Sequence, residues 1–328
     1  MALSLCSTRT ILLLFLLSAI PVAFIISLEL AKPTTHVYHY HSSGFMRECA
    51  KWDDLNRRFL VSFVEGGVGE IRVPDDYSPG TVLKEVTVVK DVDLSGNSSL
   101  GILVDRPRNR LLVAVSAFPW NKYNALAAYD LTTWKRLFLT QLSGPGDEKA
   151  FADDVAVDAE GNAYVTDVNV GKIWKVGKDG GLVSIIRNPL FNAKEWYKNL
   201  GQLNGIVYHP DGFLIVINTF TGNLYKVDIT KGDEVKLIKV TGGSLFFGDG
   251  LELLSPTELV VAVAGKPSAR LVKSFDGWET ASVVATFKGP VHRLATAATV
   301  KDGKVYINHM FGIGFPKKHA IVEAVFST

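Results

Sequence analysis

One apolar segment recurs along this chain, and its spacing leaves few folds open. The runs RFLVSF (58–63), RLLVAV (110–115), NAYVTD (162–167), GFLIVI (212–217), TELVVA (257–262) and GKVYIN (303–308) read as equivalents. Aligning Leu60, Leu112, Tyr164, Leu214, Val260 and Val305 gives spacings of 52, 52, 50, 46 and 45 residues. A turn precedes each run: DDLN, DRPRN, DAEG, HPDG, SPTE and KDG. Ahead of the turn lies another apolar stretch, such as VAVD or GIVYH. A third often follows, such as KIWKV (172–176) or NLYKV (223–227). Short apolar runs between turn signals, with few amphipathic helices, indicate an all-β chain. A unit of this length has two apolar sheet faces and cannot bury them alone; stacking units radially around an axis buries both. The repeat therefore predicts a six-bladed β-propeller over residues 33–328. THVYHYH (35–41) and HAIVEAVF (319–326) are the candidates to share its closing blade.

Residues 11–28, ILLLFLLSAIPVAFIISL, carry no charge and are flanked by Arg9 and Lys32. Residues 1–32 read as a signal peptide or a membrane anchor. Either one directs the rest of the chain into the secretory pathway. Its destination would be extracellular, vacuolar or membrane-anchored with the propeller on the lumenal side. The membrane would be touched only through this segment, if it is retained. Two cysteines, Cys6 and Cys49, lie on either side of it, so no disulfide is available within the propeller. Asn97-Ser98-Ser99 is a glycosylation sequon, with Asn97 the acceptor. A net charge of +2 without a basic run argues against nucleic-acid partners. There is no Gly-x-Ser-x-Gly elbow, nucleotide-binding glycine loop or Cys/His zinc spacing.

In a propeller the first strand of each blade lines the central channel, so equivalent positions converge there. Asn204 stands ten residues before Leu214. Glu48 is twelve before Leu60, Asp153 and Asp154 are eleven and ten before Tyr164, and Asp249 is eleven before Val260. Gly101 and Thr296 take the corresponding places in the other two repeats. Each residue alone could be a local strand or turn cap. Gathered together, the carboxylates raise each other's pKa, and a cation relieves the repulsion. An all-oxygen set with one amide suits a hard ion, Ca²⁺ ahead of Mg²⁺, Mn²⁺ or Zn²⁺. Asp153 and Asp154 compete for one place, so one of them is expected to point outward.

These motifs resemble the senescence-marker-protein/gluconolactonase-like six-bladed propellers, the calcium-dependent phosphotriesterase superfamily, over about residues 45–325. ECAKW (48–52) stands where members have Glu-Gly-Pro-x-Trp. DDVAVDAEG (153–161) stands where they have Asn-Asp-Gly before a turn. Asn204-Gly205 and Asp249-Gly250 match the remaining two motifs. The resemblance implies that Glu48, Asn204 and Asp249 bind a divalent ion, usually Ca²⁺, with Asp153 beside it as ligand or substrate contact. It implies hydrolysis of a small lactone, ester or phosphotriester, with Asp249 as the catalytic base or nucleophile and Asp154 against the substrate. Cys49-Ala50 for Gly-Pro, and Asp153 for Asn, depart from the pattern. They keep open the alternative of a metal-stabilised propeller that binds a ligand or protein without turnover. The long connection RNPLFNAKEWYKNLGQ (187–202) leads into Asn204 and carries Phe191, Trp196 and Tyr197. It is expected to cover the channel as a lid, with Trp196 and Tyr197 on the substrate; packing of these aromatics on a blade edge is the alternative. His39 and His41 read as strand residues, and His309 as a possible neighbour of the channel.

Overall fold

Glycine and aspartate turns break the apolar runs into short strands, and the computed structural model pairs those strands consecutively. It describes residues 8–117 and 122–328, with side chains at all of these except 8, 9, 11–13 and 291. Two compact units result, Met1–Thr34 and Thr35–Thr328. The first holds a helix, Thr8–Leu30, with Pro21 inside it. Leu14, Phe15, Leu16, Leu17 and Ile20 are exposed along it. Among the described residues no helix is long and apolar enough to cross a membrane. Of the apolar run 11–28, the side chains of residues 11–13 lie outside the described residues.

The second unit is all-β. Strands Arg47–Asp53, Arg58–Phe63, Val68–Arg72 and Val82–Val89 form an antiparallel meander. The pattern recurs over 98–143, 152–187, 203–241 and 248–287. The last set takes Ala295–Lys301, Lys304–Ile313 and Lys317–Glu323, and its fourth strand comes from the other end of the unit. Val37–Ser42 pairs antiparallel with Lys317–Glu323, from Val37 opposite Val322 to Ser42 opposite Lys317. The segments 35–41 and 319–326 therefore share one sheet. Each first strand packs on the first strand of the next set, and Ala295–Lys301 packs back on Arg47–Asp53, closing a ring. This is a β-propeller architecture.

The repeated apolar run is the second strand of each set. Arg58–Phe63, Arg110–Ser116 and Phe213–Asn218 are buried at every residue. A strand covered on both faces has no solvent side, so it reads as a continuous apolar run rather than an alternation. Its side chains feed the clusters between neighbouring sets, as where Leu60 meets Ile102, Leu111 and Val113. Buried arginines staple one set to the next. Arg58, paired with Asp53, donates to Leu131 O at 2.9 Å. Arg110, paired with Asp105, donates to Gly161 O at 2.6 Å. Each charge is compensated by a carboxylate and by the neighbouring backbone, which makes its burial tolerable.

Candidate functional site

Every first strand slips register near its start. The irregularities fall between Arg47 and Ala50, Ser99 and Ile102, Ala152 and Val155, Leu203 and Ile206, Gly248 and Leu251, and Ala295 and Ala297. A β-bulge inserts a residue and re-aims side chains out of the pleat. The residues inside these bulges are Glu48-Cys49, Leu100-Gly101, Asp153-Asp154, Asn204-Gly205, Asp249-Gly250 and Thr296. The acids and the amide singled out by the repeat thus share one backbone device. In this frame Leu100 rather than Gly101 matches Glu48, because Gly101 takes the second bulge position.

That second position is crowded by the next set. A Cβ on Gly205 would lie 2.2 Å from Asp249 O, and one on Gly101 2.5 Å from Asp153 O. Asp154 occupies the same position in the third set and turns the close approach to use. Its carboxylate accepts from Ile206 N at 3.2 Å, at the edge of the next bulge, and from its neighbour Val155 N at 2.9 Å. Second strands hold the bulges from the other side. Cys49 N donates to Ser62 Oγ at 3.0 Å, and Asp154 N to Thr166 Oγ1 at 3.1 Å. Asn308 Nδ2 donates to Arg47 O and Glu48 O at 2.8 and 2.9 Å, fixing the Glu48 bulge from the closing set.

Glu48, Asp153, Asp154, Asn204 and Asp249 surround a cavity of about 10 Å³, with Lys51 and Cys49 also in its wall. That is room for roughly one water or one ion. The expectation that Asp153 or Asp154 points outward is corrected: both face this cavity. The bulge spreads two consecutive residues over a space that a regular strand would give to one. Burial pushes Asp153 up to about 8 and Asp154 up to about 6; Asp154 raises Asp153 further, while Lys51 restrains Asp154. Glu48 and Asp249 are raised well above the carboxylate range, first by burial and then by Asp153 and the other acids. The Asn204 amide hydrogen-bonds Asp249 and works against that rise. Glu48 Oε2 and Asn204 Oδ1 are buried without a hydrogen-bond partner. Burial also raises the Cys49 thiol, which keeps it protonated. Among the described residues, no group of three or more His, Cys, Asp or Glu side chains is drawn together tightly enough to hold a metal ion as it stands.

Sequence reasoning missed Lys51 and Glu252. Lys51 Nζ donates to Glu252 Oε2 at 2.7 Å and to Ala298 O at 3.0 Å, so the first, fifth and sixth first strands meet there. A signal was present: Lys51 and Glu252 each stand three residues after an acid of the cluster, Glu48 and Asp249. Equal offsets in a repeat place opposite charges at one level of the channel.

The connection 187–202 folds as two short 3-10 turns, Pro189–Phe191 and Trp196–Asn199. Phe191 is fully buried, edge-on to Tyr225 at 5.3 Å, so for this ring the blade-edge packing holds. Trp196 and Tyr197 stand 75% and 50% exposed and form no part of the cavity wall. His309 is buried outside that wall, with Nδ1 3.2 Å from Ile307 O. Burial lowers its pKa to about 3. Asn97 is half-buried, and its Nδ2 donates to Leu94 O at 3.4 Å.

No protein-family model matches this chain, and no curated protein does. Solved structures do match. A luciferin-regenerating enzyme aligns at 13% identity and a TM-score of 0.56, over 88% of this chain and 95% of that one. A streptogramin B lyase aligns at 10% identity and 0.53, over 89% and 98%. U3-55K aligns at 8% identity and 0.58, over 88% and 98%. At such identities the likeness establishes the fold alone. The chain is a β-propeller, and propeller enzymes are among the structures it is similar to.

Proposed function

We propose that this chain is a six-bladed propeller hydrolase that uses one divalent cation, Ca²⁺ ahead of Mg²⁺, Mn²⁺ or Zn²⁺, to open a small lactone, ester or phosphotriester. The observation that carries the reading is the one-ion cavity ringed by four carboxylates, with Glu48 Oε2 and Asn204 Oδ1 lacking a hydrogen-bond partner among the described residues. Buried oxygens without a partner are costly unless something satisfies them. A hard cation fits this donor set, and Glu48, Asn204, Asp249 and Asp153 would hold it. A bound ion would polarise the carbonyl or phosphoryl oxygen of the substrate. Asp249, held by the Asn204 amide and ionised when a cation is bound, would take the proton from the attacking water and return it to the leaving oxygen. Asp154, anchored on Ile206 N, would contact the substrate, and the exposed Trp196 and Tyr197, on the connection that leads into Asn204, would bind its apolar part.

Asp249→Asn is expected to abolish hydrolysis in a lactone and phosphotriester screen while leaving the β-sheet circular dichroism unchanged. An unchanged rate would remove Asp249 from the chemistry. The cavity, at about 10 Å³, has the size of an ion rather than of a substrate, which also favours a second reading. A wild-type chain that binds the ion and turns over nothing in the screen would be a metal-stabilised binding module.

Residues 1–32 would serve as a targeting segment for the secretory pathway, with 33–328 as the propeller and Asn97 as a glycan site. Glycosidase treatment of the chain from a eukaryotic host should lower its mass, and Asn97→Gln should remove that shift. An unshifted wild type would argue against lumenal exposure.

A further inference from the structure

We infer that Lys51 is a built-in counter-cation of the acidic cavity, and that the Lys51–Glu252 pair sets how strongly the site attracts a divalent ion. This rests on the proposed ion site. Lys51 lies in the wall of the same cavity as Glu48, Asp153, Asp154 and Asp249. Its side chain is 14% exposed, and its ammonium is fixed rather than free, by Glu252 Oε2 at 2.7 Å and Ala298 O at 3.0 Å. The backbone beside it is fixed too, since Trp52 N donates to Thr299 Oγ1 at 2.9 Å.

The pair joins strands 201 residues apart in sequence, at the level just past the acids. Two consequences follow from charge alone. The ammonium offsets part of the carboxylate repulsion when no ion is present. It also repels an ion that arrives, because like charges held in a partly dry site are weakly screened. Glu252 moderates both effects by neutralising Lys51. The two residues should therefore act in opposite directions on cation affinity. That sign separates an electrostatic role from a merely structural one, since loss of a structural pin would weaken binding in both variants.

The test is isothermal titration of Ca²⁺ into the full chain and its variants at low salt. Lys51→Met is expected to bind Ca²⁺ about tenfold tighter or more, and Glu252→Gln about tenfold more weakly. The double variant should return to within a few-fold of wild type. Should Lys51→Met fail to fold, Lys51→Gln carries the same expectation and can keep the bond to Ala298 O. Weaker binding in both single variants, or no change in either, overturns the inference while leaving the ion site intact. If wild type binds no Ca²⁺, the proposed function falls. In that case a gain of binding in Lys51→Met sustains the inference, with the ammonium as the resident cation, and no gain overturns both.

Discussion

Stripping divalent ions with a chelator is expected to lower the melting temperature of the protein by roughly 4 °C, and restoring Ca²⁺ should recover it. A ligand that binds only the folded state, present at a hundredfold over its dissociation constant, stabilises it by about 2.7 kcal/mol. For the β unit, Thr35–Thr328, the unfolding entropy converts that into roughly 4 °C. The shift should vanish in Glu48→Gln and in Asn204→Ala, which alter the two cavity side chains whose buried oxygens find no hydrogen-bond partner among the described residues. A shift that survives in both variants would place the ion elsewhere. No shift in wild type would mean that the cavity takes no ion.

The second large effect is a dependence on pH with an unusual sign. Burial raises Asp153 to about 8 and Asp154 to about 6, against an unfolded value near 4. Between those limits the folded chain binds more protons than the unfolded chain. Stability therefore falls as pH rises, in full below about pH 4 and lost through 6 and 8. Most proteins with salt-bridged acids behave the opposite way. Calcium must displace these protons, so its affinity should climb over pH 6 to 8, about tenfold per unit for each proton released. Denaturant midpoints from pH 5 to 8 in chelator should decline, and Asp153→Asn should flatten the decline. A metal-free protein that grows steadily more stable toward pH 8 would show that the acids are ionised and separated in the fold.

Much of this was legible in the sequence because a repeat converts distance along the chain into proximity in space. Leu60, Leu112 and Leu214 mark strands buried on both faces, and that pattern needs no tertiary information. Glu48, Asp153, Asn204 and Asp249 followed by counting back from them. The count is irregular by one or two residues; the bulges are alike in these four strands, and the slack comes from one extra residue in the first hairpin and from Leu214 standing one place earlier on its strand than the other markers. A bulge has no residue signature strong enough to locate it, which is why the sequence offers a single place for Asp153 and Asp154. The close approach that makes Gly205 and Gly101 glycines is likewise invisible until the neighbouring backbone is in place. Lys51 and Glu252 were overlooked for a different reason. The motifs around them point to metal ligands, and an internal ion pair has no motif. Trp196 and Tyr197 were legible as part of a long connection, but not their exposure, because a loop's course depends on the surface under it.

The sheet shared by Val37–Ser42 and Lys317–Glu323 works as a clasp. It joins residues some 280 positions apart with six matched pairs and no covalent bond, in a unit whose one cysteine is buried and free. Loop-closure entropy grows only with the logarithm of length, about 0.6 kcal/mol per doubling, so fastening so long a span is scarcely harder than fastening half of it. Closing the ring brings Glu48 of the first set against the acids of the third and fifth. Their mutual repulsion therefore pushes outward on that seam, and a cation in the cavity would ease the load on a closure far from itself.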